Sequence, residues 1–178
     1  MPKDVPHSAK SPLVCAIAYD GLCTFEFGIA VELFALDRPE FTHWYRYATV
    51  KADPGPIRAA GGIVIEAEAD LSLLEEASLI IVPGWRGATT PVPDALKTAL
   101  LRAHTKGARI ASICSGVFVL AATGLLNGKR ATTHWRYTDT LASMYPDITV
   151  DPDVLFVQED SVFSSAGSAA GLDLGLHI

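Results

Sequence analysis

The stretch 110-IASICSGVFVLAATGLL-126 decides the fold. Apolar and small residues lead into Cys114, Ser115 and Gly116, and a run without charge follows. ARIASI (108–113) reads as a strand, and the pattern after Cys114 predicts a helix reaching about Thr123. A cysteine at such a seam is either a small buried hydrophobe or a nucleophile held at a strand-to-helix turn. The local form Ser112-x-Cys114-x-Gly116 is close to the small-x-nucleophile-x-Gly elbow, whose small flanking residues admit a strained turn that exposes the nucleophile. A thiol there stands at a helix N-terminus, where free N–H groups and the helix dipole favour thiolate. The elbow context favours the functional thiol over the buried one. An accessible thiol of low pKa also suits oxidation to sulfenic acid.

The rest of the chain alternates in the same way. LVCAIAY (13–19) is continuously apolar, as a strand buried on both faces should be. EFGIAVELFAL (26–36) predicts a helix with Phe27, Ala30, Val31 and Phe34 on one face and Pro39 beyond to stop it. WYRYATV (44–50) alternates like a strand, and PGP (54–56) with Gly61-Gly62 marks a hairpin-like region. LIIV (79–82) reads as a core strand ending in the turn PGWRG (83–87), and a helix is expected from about Asp94 to His104. GLLNGK (124–129) turns the chain into ATTHW (131–135), with a helix expected over about Tyr137–Met144. VLFVQ (154–158) and VFSSA (162–166) predict two short strands, and Ser168 is placed to cap a last helix, AAGLDLGLHI (169–178). Strand–helix alternation of this kind predicts an α/β fold, a three-layer αβα sandwich on a mostly parallel sheet. One domain over 13–178 is expected, preceded by a flexible tail, 1–12, which is polar and carries three prolines.

Composition narrows the function. At 49% hydrophobic and 19% charged residues, a 178-residue chain builds one well-covered core. A net charge of −6 with scattered Lys and Arg argues against gripping nucleic acid through its own surface. Three cysteines (Cys15, Cys23, Cys114) without CxxC spacing suggest free thiols in a reducing, cytoplasmic setting. Cys15 reads as core, and Cys23 as loop filler or as a group approaching the pocket. Five isolated histidines suggest no metal site, and no cofactor is expected. The apolar run 13–19 is too short for a signal core or a membrane span.

The block 111-ASICSGVFVLAATGLLNGKRATTHW-135, with YDG (19–21), VPGWRG (82–87) and SSAGSAAGLDL (164–174), resembles the ThiJ/PfpI superfamily. The resemblance covers nearly all the chain from Leu13 onward and implies the class I glutamine amidotransferase-like (flavodoxin-like) fold. It is most similar to the amidase-like N-terminal domain of AraC-type transcriptional regulators (the FtrA/GlxA group), then to the isocyanide hydratases. The resemblance implies that Cys114 is the elbow cysteine and that Glu26 is its acidic partner. In that superfamily a protonated carboxyl hydrogen-bonds the cysteine and helps hold it as thiolate. Oxyanion-type donors would be the N–H groups of Ser115 and of the Gly84–Trp85 turn. His134 either reaches the thiol or packs under Trp135 with its ring satisfied. Trp85 and Arg86 would wall the pocket, with Arg86 either meeting an anionic ligand or serving structure. Ser115 stands where PfpI-type peptidases have a histidine base, which argues against peptidase activity.

Two functions follow. The first is a ligand-sensing and dimerising domain of an AraC-type regulator, a homodimer taking a small molecule and reaching DNA through a helix-turn-helix domain beyond this chain. A Leu-rich helix that stops at Ile178 without a C-terminal signal fits a chain that continues. The alternative is a cysteine enzyme, hydratase-like or amidase-like, with Cys114 as nucleophile and Glu26 as proton shuttle.

Overall fold

A computed structural model describes residues 11–67 and 69–178. The expected tail therefore lies, up to residue 10, outside the described residues. Its last two residues are tied down, because the Ser11 carbonyl accepts from Arg46 Nε (3.2 Å) and the Pro12 carbonyl from Arg46 N (3.0 Å).

The elements run β1 (Leu13–Ala18), α1 (Thr24–Ala30), β2 (Arg46–Lys51), β3 (Ile57–Arg58), β4 (Val64–Ile65), β5 (Leu79–Pro83) and α2 (Asp94–Thr105). They continue β6 (Arg109–Ile113), α3 (Val117–Thr123), β7 (Arg130–Ala131), α4 (Thr138–Met144), β8 (Thr149–Val150), β9 (Phe156–Glu159), β10 (Val162–Ser165) and α5 (Ala170–His177). Six strands form one sheet in the order β2-β1-β5-β6-β10-β9. All its pairings are parallel except β9 with β10. β3 and β4 pair as the expected small hairpin.

Every residue of β1 is buried, as a strand covered on both faces requires. Alternation divides the core. Cys15, Ile17, Ile80, Val82 and Ile110 pack with Leu96, Leu100 and Phe118 on the α2–α3 side. Val14, Ala16, Leu79, Ile81, Ala111 and Ile113 pack with Ile29, Phe34 and Leu174 on the α1–α5 side. Those are the three expected layers.

The strand order reverses between β1 and β5, because the chain leaves β1 for one neighbour and returns on its other side to make β5. Such a switch point opens a crevice at the carboxyl ends of the strands. The turns after β1, β5 and β6 all end there.

Local details depart from the sequence pattern. α1 starts two residues early and widens into a π-turn over Val31–Ala35. Of the expected stripe, Ala30 and Phe34 are buried while Phe27 and Val31 are only half-buried; Glu26 and Ile29 turn inward beside them, and Phe25 stands exposed. The strand expected over 44–50 begins only at Arg46, since Trp44 stacks on Phe41 with ring centroids 5.0 Å apart. Ser168 does not cap α5; Ala169 holds that position, and the Ser168 hydroxyl turns toward α1.

Candidate functional site

Cys114 follows β6 directly, and its backbone is left-handed, with φ 57. Only a short 3-10 turn, Cys114–Gly116, separates it from α3. A non-glycine residue in that region carries strain of about 1–2 kcal/mol, and the surrounding hydrogen bonds hold it. The Cys114 carbonyl accepts from Thr133 Oγ1 (2.8 Å), and the Ile113 carbonyl accepts from Gly84 N (3.0 Å). Gly116 admits the close approach of β5, since a Cβ there would lie 2.3 Å from the Val82 carbonyl oxygen.

Glu26 is the carboxyl group brought to this thiol. Both are nearly out of solvent, Glu26 at 7% and Cys114 at 8% exposure. Burial pushes the Cys114 thiol up to about 12, and the neighbouring Glu26 charge adds to the push, against a hydrogen bond from the Ser115 N–H. This push opposes the thiolate that the helix dipole favours. Desolvation and a like charge outweigh one short helix start. An oxidation-prone thiol would have to overcome the same burial.

One consequence concerns stability. Cys15 in β1 is also pushed up to about 12, chiefly by burial and then by Glu76. Both thiols rise from an ordinary 9.0, so the folded chain keeps protons that the unfolded chain loses. Their contribution to stability is full below about pH 9 and lost as pH rises toward about 12. Denaturant melts are expected to show a midpoint falling across that window, with a shallower fall in Cys114→Ala. A flat midpoint would refute the burial account.

The N–H groups expected as oxyanion-type donors are engaged within the protein. Trp85 N donates to Ser115 Oγ (2.9 Å), which in turn donates to the Trp85 carbonyl (3.1 Å). Gly84 N donates to the Ile113 and Val82 carbonyls. The Ser115 N–H faces the Cys114 sulfur. Ser115 thus locks the β5 turn to the elbow, a use for its hydroxyl that sequence reading had not found.

Trp85 is buried and packs on Tyr19, with ring centroids 4.9 Å apart. Arg86 lies over both rings, 4.7 Å from the Trp85 centroid and 5.6 Å from that of Tyr19. Its guanidinium bonds the Asp53 carboxylate, which also accepts from Asp20 N (2.8 Å). Burial opposes ionisation of Asp53, but the Arg86 bond and the Asp20 N–H hold its carboxyl below the usual range. Arg86 therefore ties together the ends of β1, β2 and β5, which is the structural role.

Cys23 reaches the site, for its Sγ lies 2.7 Å from where a Cβ on Gly84 would be. His134 takes the packing arrangement. Its Nδ1 accepts from Arg136 N (3.2 Å), its ring lies 5.3 Å from that of Trp135, and its edge meets Gly167. No bond from His134 to Cys114 is present among the described residues. Trp135 itself is 71% exposed. Ser168 is the residue that sequence reasoning missed, because its hydroxyl donates to Glu26 Oε1 at 2.6 Å. Among the described residues no cluster of three His, Cys, Asp or Glu stands ready for a metal ion, and no helix is long and apolar enough to cross a membrane.

Comparison with known proteins agrees with this geometry. The DJ-1/PfpI family model matches residues 13–178. An uncharacterized protein in the cpoL 5'region of Streptomyces lividans is 35% identical over 134 residues, 75% of this chain and 94% of that protein. The HTH-type transcriptional regulator CdhR of Pseudomonas aeruginosa is 31% identical over 158 residues, 89% of this chain and 47% of the regulator. Isonitrile hydratase of Pseudomonas putida is 34% identical over 124 residues, 69% of this chain and 53% of the hydratase. The chain spans about half the length of these last two relatives. The crystal structure of an AraC family transcriptional regulator from Pseudomonas putida superposes with TM-score 0.79, covering 93% of this chain and 89% of that one, at 18% identity. That likeness shows the fold.

Proposed function

The chain belongs to the DJ-1/PfpI family, and on that premise we propose that it is the ligand-sensing half of an AraC-type transcriptional regulator. The Cys114–Glu26 corner is the floor of its small-molecule pocket, walled by Trp85 and Arg86. The observation that carries this reading is the match to CdhR, which runs along 89% of this chain yet occupies under half of the regulator. DNA is then reached through a helix-turn-helix domain outside residues 13–178, and the net charge of −6 suits a half that does not touch DNA. The thiol held up near 12 and the turn donors engaged by Ser115 and Ile113 also favour binding over turnover. The domain works as a cytoplasmic homodimer, which light scattering tests; a monomer would remove the dimer from this account.

A second reading has its own support. Cys114 keeps the strained elbow backbone with a buried carboxyl beside it, and one relative is an isonitrile hydratase. There the thiolate would attack the electrophilic carbon and Glu26 would carry the proton. Incubating the purified chain with a simple alkyl isonitrile separates the two. The sensing reading expects formamide at the buffer rate, equal in wild type and Cys114→Ala. Turnover that Cys114→Ala abolishes, in a gene that ends at codon 178, would sink it.

A further inference from the structure

Two of the three cysteines converge on one glycine. A Cβ at Gly84 would lie 2.7 Å from Cys23 Sγ, and Gly84 N donates to the carbonyl of Ile113 (3.0 Å), the residue before Cys114. We infer that Cys23 and Cys114 form a redox pair: a peroxide closes them into an intramolecular disulfide beside Gly84, and a thiol reductant reopens it.

Three observations carry it. Both backbones are held at this corner. The Cys114 carbonyl accepts from Thr133 Oγ1 (2.8 Å), and the Cys23 carbonyl accepts from Phe27 N (3.0 Å) where α1 begins. Closure is therefore left to side-chain rotation. The Cys23 thiol hydrogen-bonds the Tyr19 hydroxyl, which itself donates to the Pro83 carbonyl (2.9 Å), so the sulfur is kept on the β5 turn. A charge on Cys23 is felt at Cys114, which places both sulfurs in one corner of low dielectric. Lastly, the two differ in exposure. Cys114 is buried, whereas Cys23 is half-buried and gives a molecule as small as a peroxide a way in. Cys15 lies on the α2–α3 side of β1, fully buried, and serves as the internal control.

The chemistry balances with hydrogen peroxide as the oxidant. One thiol of the pair takes an oxygen from the peroxide and becomes a sulfenic acid, and one water leaves. The second sulfur then attacks the sulfenic sulfur. The S–S bond forms, the S–O bond breaks, and the departing oxygen takes the second thiol's proton to leave as water. Two thiols and one peroxide thus give one disulfide and two waters, the two sulfurs supplying the two electrons. A bridge at this corner lies on the floor of the proposed pocket, so oxidation would take away the chain's small-molecule site. That last consequence rests on the reading of the Cys114–Glu26 corner as a ligand site; the bridge itself does not.

The test treats the full chain with hydrogen peroxide, blocks the remaining thiols with N-ethylmaleimide under denaturing conditions, and maps the peptides by mass. The expected product is one pair of peptides joined through Cys23 and Cys114, lighter by about 2 Da than the two thiol peptides together. Thiols open to the maleimide are expected to fall from three to one, leaving Cys15, and dithiothreitol is expected to restore all three. In Cys23→Ser, where no second thiol can answer, peroxide is expected to carry Cys114 on to sulfinic or sulfonic acid, which dithiothreitol does not reverse. The inference is overturned by Cys114 sulfinic acid in the wild type with Cys23 still free, by bridges that join two chains on a non-reducing gel, or by three free thiols after peroxide. The wild-type map needs no variant, and Cys23→Ala is read in the same way should Cys23→Ser not fold. The bridge in a chain that binds no small molecule in either redox state would remove the sensing reading alone, and a ligand-binding chain that forms no bridge would remove only the redox pair.

Discussion

Gly116→Ala is expected to cost the fold about 3 kcal/mol or more, the upper range for forcing atoms into a packed core. The added Cβ would lie 2.3 Å from the Val82 carbonyl oxygen and 3.1 Å from Gly84 N. Both are backbone atoms, so no side chain is free to swing aside. Val82 pairs with Ser112 on β6, so relief would require the β5 turn to leave the elbow, breaking the Gly84–Ile113 and Trp85–Ser115 bonds. For a domain of this size the melting temperature is expected to fall by roughly 6–12 °C. Gly28→Ala is the control. Nothing lies within 4 Å of its Cβ position, and it sits in α1. A helix-interior alanine there is expected to stabilise by about 0.5–1 kcal/mol. Equal melting temperatures for wild type and Gly116→Ala would show that the turn is not held as described.

The second large effect concerns Glu26→Gln. Burial is the main force holding the Cys114 thiol at about 12, and the Glu26 charge is the next. The amide keeps the shape and removes the charge, so the thiol is expected to fall from about 12 toward, but not to, its ordinary 9.0. Each unit of that fall multiplies the thiolate fraction at pH 8 by about ten. Iodoacetamide labelling of Cys114 should therefore quicken at pH 8, while Cys15, shielded in β1, stays unlabelled. Labelling at the wild-type rate would mean that burial alone controls the sulfur.

What could be read from residues alone divides along the range of the forces involved. The elbow was legible because it is local: Ser112, Cys114 and Gly116 are the residue types that a strained strand-to-helix turn admits, and the backbone there is left-handed. The sheet was legible because strands buried on both faces must be continuously apolar, as β1 and β5 are. The inward turn of Glu26 was not legible from periodicity, which favoured Phe27 and Val31. It came only from resemblance, because a carboxyl on a buried face pays off only against a thiol and a hydroxyl that arrive from distant segments. Ser168 was misassigned for the same reason. Local capping rules weigh the nearest helix, whereas its partner comes from the other end of the chain. The burial that opposes ionisation of Cys114 was not legible, because a helix dipole is written into the local sequence and desolvation is not.

The left-handed backbone at Cys114 gives drift a direction at that position. Glycine occupies this region without a steric penalty, and asparagine and aspartate enter it more readily than cysteine does. A lineage that had stopped needing the sulfur would find replacement by such residues favoured by the turn itself. Descendants of this chain therefore offer a natural readout: whether the thiol is used would show in how quickly it disappears.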